Sequence, residues 1–422
     1  MAIALRDKLV IVLLWMVWAG SSTAALAQPA EATRGLSDEA EVSILTMYPG
    51  SAIHARFGHT AIRVHDPLGD IDAVYNYGTF NFDSPMFVVT FIRGQLDYHL
   101  SEQQMANVLY QYQHIEQRAV VEQVLDLTAA EREAVFAYLR VNAQPANATY
   151  RYRFLDDNCS TRVRDVFEDV LGERLRFEEA PEPATTYRAM LAPYMANARL
   201  LWLGVTLVMG QPGDEAVGRR ERMFLPVPLM EAFDAATVAR EGEARPLVRE
   251  KQALYWYEGA DTIEPTVRWP ALAAWGLLVV GAVVTWREVR GRGRMGSRRR
   301  RGVSVADALL LGVTGLAGVV VAGMWLGTEH DVTGPNWNLL WAWPTHLLAA
   351  VALWRWPGAR WLRVYLLAAA GVTLLAALTW PAWPQTLPLA LWPVLLLIAL
   401  RAGALGVRAA PRPRVDERAG AG

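Results

Sequence analysis

Two kinds of apolar patterning divide the chain. From Trp269 onward apolar residues run in long blocks, 269–286, 305–327, 339–354, 362–380 and 387–400, which predict about five membrane-crossing helices. The third and fifth blocks are short for a hydrocarbon core that takes about 20 helical residues. Upstream the runs are brief and alternate. "EVSILTMYP", "HTAIRVHD" and "DAVYNYGTFNF" read as strands rich in β-branched and aromatic residues. Ser101 with Gln104, and Thr128 with Glu131, match the capping box and predict helices over 102–117 and 129–142. "TYRYRF" alternates like a strand, and after it Val163, Val166, Phe167, Val170 and Leu171 recur at helical spacing. Asn158 or Asp157 is the expected cap of that helix. The apolar runs "LLWLGVTLVMG" and "RMFLPVPL" read as core. The part upstream of Trp269 is therefore α+β, long enough for one sizeable domain, and an all-α transmembrane bundle comes after it.

Charge turns this pattern into a topology. Lys and Arg number 41 against 42 Asp and Glu, yet the signs are segregated. The connector 287–301 is strongly basic, Arg355, Arg360 and Arg363 come two spans later, and Arg401, Arg408, Arg412 and Arg414 lie beyond the last. With five spans all three sets fall on one side, which the positive-inside rule makes cytoplasmic. A basic run flanked by spans is a topology anchor, so nucleic acid is not an expected partner. The N-terminus carries Arg6 and Lys8, an apolar run and small residues ending in Ala25-Leu26-Ala27, a signal-peptide pattern with cleavage after Ala27. An uncleaved anchor leads to the same outcome, export of the chain from residue 28 on. The expected division is a signal segment 1–27, a periplasmic domain 28–265, a transmembrane domain 266–405 and a cytoplasmic tail 406–422, in a multi-pass protein of the bacterial inner membrane.

Export sharpens the reading of one residue. Cys159, in "FLDDNCSTRVRD", is the chain's single cysteine. In an oxidising compartment it has no partner for an internal disulfide, so it is a free thiol, an intermolecular partner or a small buried hydrophobe. In the first turn of a helix its sulfur lies near unsatisfied N–H groups and the positive end of the dipole, which stabilise a thiolate. Arg162, one turn along, can add to this or pair with an acid. A nucleophilic thiolate needs a base, and the exported histidines are His54, His59, His65, His99 and His114. His59, after a glycine at the start of an alternating strand in "RFGHTAIRV", is held most rigidly, and His54 is second. The loop "TEHDVTGPNWNLLW" between the second and third spans offers His330, Asn336 and Asn338 for head-group or acceptor binding, or serves as a connector. Its Trp337 and Trp341 suit the interfacial belt. His346 falls inside the expected third span, where an ionisable group suggests function. Adjacent Glu329, His330 and Asp331 do not match a metal-ligand spacing, and no metal or cofactor is expected.

A cysteine opening a helix after "DN", with a histidine at the start of an upstream strand, resembles the permuted branch of the papain-like, NlpC-type superfamily, which includes lecithin retinol acyltransferase. "YPGSAIHARFGHTAIRV", "YNYGTF", "FIRGQLDYHLS", "FLDDNCSTRVRD" and a multi-span C-terminus with "NWNLLW" are together similar to the Lnb-type lipoprotein N-acyltransferases of bacteria. That resemblance implies a permuted papain-like periplasmic domain. It implies a thiol acyltransferase that moves a fatty acyl chain from a phospholipid, through a Cys159 thioester, to the N-terminal amine of a diacylglyceryl lipoprotein. By the same analogy Asn76 in "VYNYG" is the polar third residue that orients His59, with Tyr77 its rival on the other face. A cell-wall peptidase or amidase of NlpC type is the alternative.

Overall fold

The computed structural model describes residues 35–79, 86–178, 184–260, 268–291 and 297–408. The expected signal segment, residues 292–296 of the basic connector and the chain after 408 lie outside these.

Seven strands form one antiparallel sheet. They are β1 (Glu41–Met47), β2 (His59–Asp66), β3 (Ile71–Thr79), β4 (Asp97–Gln104), β5 (Val120–Leu125), β6 (Thr149–Arg151) and, after the short strands β7 (Leu175–Arg176), β8 (Thr237–Arg240) and β9 (Glu243–Pro246) of a second sheet, β10 (Val248–Tyr255). Their spatial order is β10, β5, β1, β2, β3, β4, β6. The helices of this domain are α1 (Phe87–Ile92), α2 (Met105–Tyr110), α3 (Ala129–Asn142), α4 (Cys159–Leu171), α5 (Tyr187–Leu191), α6 (Arg199–Val208), α7 (Arg219–Arg222) and α8 (Pro226–Asp234). Helix α4 lies across β2 and β3. Its Val163, Val166 and Phe167 are fully buried against Ile62 and Tyr75 of those strands, the apolar stripe meeting the apolar face of the sheet. This packing sets the start of α4 over the start of β2.

Local signals fared unequally. The Thr128 box is present in both directions, Glu131 N–H donating to Thr128 Oγ1 at 3.2 Å and Thr128 N–H to Glu131 Oε2 at 2.8 Å. The Ser101 box is a correction: Ser101 to Gln104 belong to β4, and α2 begins only at Met105. Pairing across the sheet wins there, with Ser101 opposite Asn76 and its Oγ 2.7 Å from Thr79 Oγ1. Beyond Tyr110 the helix widens into a π turn over Gln111–Ile115.

The C-terminal region comprises α9 (Trp269–Arg290), α10 (Ser297–Gly327), α11 (His346–Arg355), α12 (Arg360–Thr379) and α13 (Trp392–Arg408). Three stretches, Trp269–Arg290, Val305–Gly327 and Arg360–Ala382, are long and apolar enough to cross a membrane, so five spans are not established. The expected third span is instead an irregular stretch with a 3-10 turn at Trp337–Leu340, followed by the ten-residue α11. His346 opens α11, buried, with Nδ1 2.6 Å from Tyr365 Oη and Nε2 3.1 Å from the Trp341 carbonyl, so its neighbours satisfy it within the helical region. Leu272, Val279, Leu316 and Leu375 point outward, as lipid-facing side chains do. Inside, Arg401 of α13 binds Asp307 of α10 at 2.7 Å and Glu288 of α9 at 2.9 Å, tying three helices together.

The two regions are joined through α6. "LLWLGVTLVMG" is not simply core: Leu203 and Leu207 pack on the cluster of Trp341, Trp380 and Leu391 in the helical region. Asn336 Nδ2 donates to the carbonyls of Leu207 and Val208 at 3.0 and 2.8 Å, and Asn338 Nδ2 to that of Leu207 at 3.0 Å. Arg188, buried, closes the same corner by binding Asp214 Oδ2 at 2.8 Å and the carbonyls of Thr206, Met209 and Gly210. Replacing Arg188 with Leu strands the buried Asp214 carboxylate, and a loss of about 3–5 kcal/mol is expected. A thermal-unfolding scan of the detergent-solubilised full chain checks this; an unchanged midpoint contradicts it.

Candidate active site

The chain before α4 is fastened by its cap. Asn158 Oδ1 accepts from the N–H groups of Ser160 and Thr161 at 2.8 and 3.1 Å, and Asn158 N–H donates to Thr161 Oγ1 at 2.8 Å. The Asn158 amide also donates to the carbonyls of Phe154 and Phe224 at 2.7 and 3.0 Å, so the cap is buried and fixed to two other segments. Asp157, the other expected cap, instead binds Arg162, with Nη2 to Oδ2 at 2.7 Å. Cys159 is the first residue of α4, half-buried, where its N–H has no acceptor within the helix.

His59 reaches the sulfur from β2. Ile62 lies opposite Tyr75 in the β2–β3 pair, and the same register carried to the strand end sets His59 beside Gly78. Burial pushes the Cys159 thiol up, but the His59 imidazole acts against it by charge and by hydrogen bond. The Thr60 N–H and the Ser160 hydroxyl add to that pull, and the net position is below the ordinary thiol range. Behind the imidazole, His59 Nε2 lies 3.3 Å from Asn76 Oδ1, and Asn76 Nδ2 donates to Gln103 Oε1 at 3.1 Å. Because Gln103 takes the Asn76 donor, Asn76 offers its oxygen to the histidine. Nε2 then donates to Asn76, and Nδ1 is the nitrogen left to take the thiol proton.

Two further features open the space around the sulfur. Gly78 has φ +95° at an irregularity between Asn76 and Thr79, and a Cβ there would lie 3.6 Å from Cys159 Cβ and 3.9 Å from His59 Cε1. A side chain at 78 would thus pack directly against both Cys159 and His59. Tyr150 Oη, 4.0 Å from the same point, is buried and has no hydrogen-bond partner among the described residues. The Tyr150 ring is covered by the Arg162 guanidinium at 4.1 Å, and Tyr98 and Tyr152 stack at 4.2 Å alongside. Burial, then the charge of Cys159, pushes the Tyr98 hydroxyl up to about 12.

Of the residues expected from sequence, Cys159, His59 and Asn76 come together, and Arg162 stands behind them over the Tyr150 ring, held by Asp157. Tyr77 is buried against Tyr150. His54 lies exposed on the turn Ile53–Ala55. His330 Nε2 is 3.1 Å from the Phe91 carbonyl, while Asn336 and Asn338 are buried at the junction with α6 rather than at the thiol. Gln103, Gly78 and Tyr150 were not anticipated. The "YNYG" string carried the only hint of Gly78, as a glycine interrupting a strand.

Two family models match the chain. One, the Lnb N-terminal periplasmic domain, covers residues 31–192 and contains the thiol, the histidine and Asn76. The other, the Lnb transmembrane domain, covers residues 262–409. No curated protein and no solved structure matches the chain.

The balance at Cys159 predicts a pH signature. Alkylation of Cys159 by iodoacetamide is expected to rise with an inflection below the ordinary thiol value of about 8.5. In His59→Ala only the upward push of burial and the weaker Thr60 and Ser160 contributions remain, so the inflection moves up. Identical profiles for the two proteins contradict the pairing.

Proposed function

The chain belongs to the Lnb family of membrane lipoprotein-modifying enzymes, and from that membership and the thiol–imidazole geometry we propose a cysteine-dependent acyltransferase acting on lipoproteins at the membrane. The observation that carries the reading is a helix-opening thiol, lowered by a histidine that an asparagine orients, in a chain with both Lnb domains.

In this mechanism Cys159 Sγ, its proton held by His59, attacks the ester carbonyl of a lipid acyl donor, a phospholipid or the acceptor's own glycerol ester. The ester C–O bond breaks, the departing alkoxide takes the proton from His59, and the acyl group is left as a thioester on Cys159. The N-terminal amine of a diacylglyceryl lipoprotein then attacks the thioester carbonyl. The C–S bond breaks, His59 removes the surplus proton from nitrogen, and an amide is released with the thiol restored. No electrons change hands, and no cofactor enters. Asn76, fixed by Gln103, keeps Nδ1 of His59 aimed at sulfur through both steps. The oxyanion of each step is assigned to the N–H of Cys159 and to the Tyr150 hydroxyl, whose buried donor lacks a partner among the described residues.

In cells lacking any other N-acylating enzyme, Cys159→Ala is expected to abolish the N-acyl mass on lipoprotein N-termini, read by mass spectrometry. Unchanged N-acylation rejects the proposal, and altered muropeptides in its place favour a cell-wall hydrolase. Tyr150→Phe is expected to slow acyl transfer by about 10²–10³-fold, as loss of one oxyanion donor does. Its Cys159 alkylation profile should stay as in the parent; a parent-like transfer rate removes Tyr150 from the oxyanion site.

A further inference from the structure

Helix α1 breaks the rule that a domain in water hides its large apolar side chains. Met86, at its cap, and Val89, Phe91 and Ile92 are each between 44 and 55 % exposed, on one short segment. Its position explains them. Apolar helix α10 ends at Gly327, and the residues just after it are bonded to the end of α1. Glu329 N–H donates to the Arg93 carbonyl at 2.8 Å, His330 Nε2 lies 3.1 Å from the Phe91 carbonyl, and Gln95 Nε2 donates to Glu329 Oε1 at 2.6 Å. The approach is close enough to need glycine: a Cβ on Gly94, at φ +69°, would lie 3.0 Å from His330 N and 3.1 Å from Glu329 C. Helix α1 is thus bonded to the end of an apolar helix long enough to cross a membrane, where Leu326 in the last turn of α10 is itself 75 % exposed.

We propose that α1 is an interfacial helix, its Val89, Phe91 and Ile92 sunk in the acyl region of the leaflet on the N-terminal domain's side. The occupant of this face is the lipid surface itself. A globular partner is disfavoured because α1 is bonded to the end of an apolar helix long enough to cross a membrane. The same loop leads to the thiol: Asp331, next to His330, binds Arg153 Nε at 3.4 Å, a few residues before Cys159. Resting on the acyltransferase reading, α1 then marks the point where a lipid ester passes from leaflet to sulfur without crossing water. The insertion stands without that reading.

The chain's single cysteine makes the test simple. In a Cys159→Ser background, Ile92→Cys carries a nitroxide label and the full chain is reconstituted in phosphatidylethanolamine–phosphatidylglycerol vesicles. Leu68→Cys, on the exposed turn at the far end of β2, about 23 Å along the strand from His59, is the aqueous control. The Ile92 label is expected to collide with oxygen more than with a water-soluble nickel chelate, and the Leu68 label the reverse. An Ile92 label as open to the chelate as Leu68 overturns the proposal, and Val89→Cys repeats the measurement should Ile92→Cys fail to fold. Because the readout involves no acyl transfer, it stands or falls separately from the enzyme's chemistry.

Discussion

A sulfur atom taken out of water resists ionisation, and the imidazole of His59 is what reverses that resistance at Cys159. The surrounding fold is organised to keep the two side chains together. The sheet delivers His59 at the first residue of β2, and the apolar stripe of α4 clamps the helix across β2 and β3. The Asn158 cap stops the helix from slipping by tying its first turn to Phe154 and Phe224. A shift of α4 by one residue would rotate the sulfur by about 100° away from the imidazole.

The second support is a chain of oriented amides. Gln103 takes the donor of Asn76, Asn76 offers its oxygen to His59, and His59 offers its other nitrogen to the sulfur. Each link fixes the polarity of the next, which a single histidine on a strand end could not do alone. Gly78 and Tyr150 complete the surroundings, one by leaving space and one by carrying a buried hydroxyl with no partner among the described residues. Arg153, six residues before Cys159, pairs with Asp331 of the segment that follows α10, which joins the chain just before the site to the helical region.

How far the sequence could be read depends on the range of the forces involved. The start of β2 at His59, the cap at Asn158 and the Thr128 box were legible because each is settled locally between side chain and backbone. The Ser101 box obeyed the same local rule and failed, since β3 offered β4 a better set of partners 25 residues away in the Asn76–Ser101 pair. Gln103 belongs to the same stretch, and its partner Asn76 lies across the sheet on β3, where helical spacing carries no signal of it. Gly78 and Tyr150 matter only in three dimensions, and no periodicity announces them. In the helical region, composition found the apolar blocks but not the irregular stretch before α11, where buried asparagines and a histidine bind backbone carbonyls.

The central claim is that Cys159 carries an acyl group, and the most direct measurement is intact-protein and peptide mass spectrometry after incubation with phospholipid vesicles without acceptor. The account predicts one acyl mass on the peptide containing Cys159, removed by neutral hydroxylamine and not formed in His59→Ala. A protein that transfers acyl groups at full rate while this peptide stays unmodified, even in rapid quench, would contradict it.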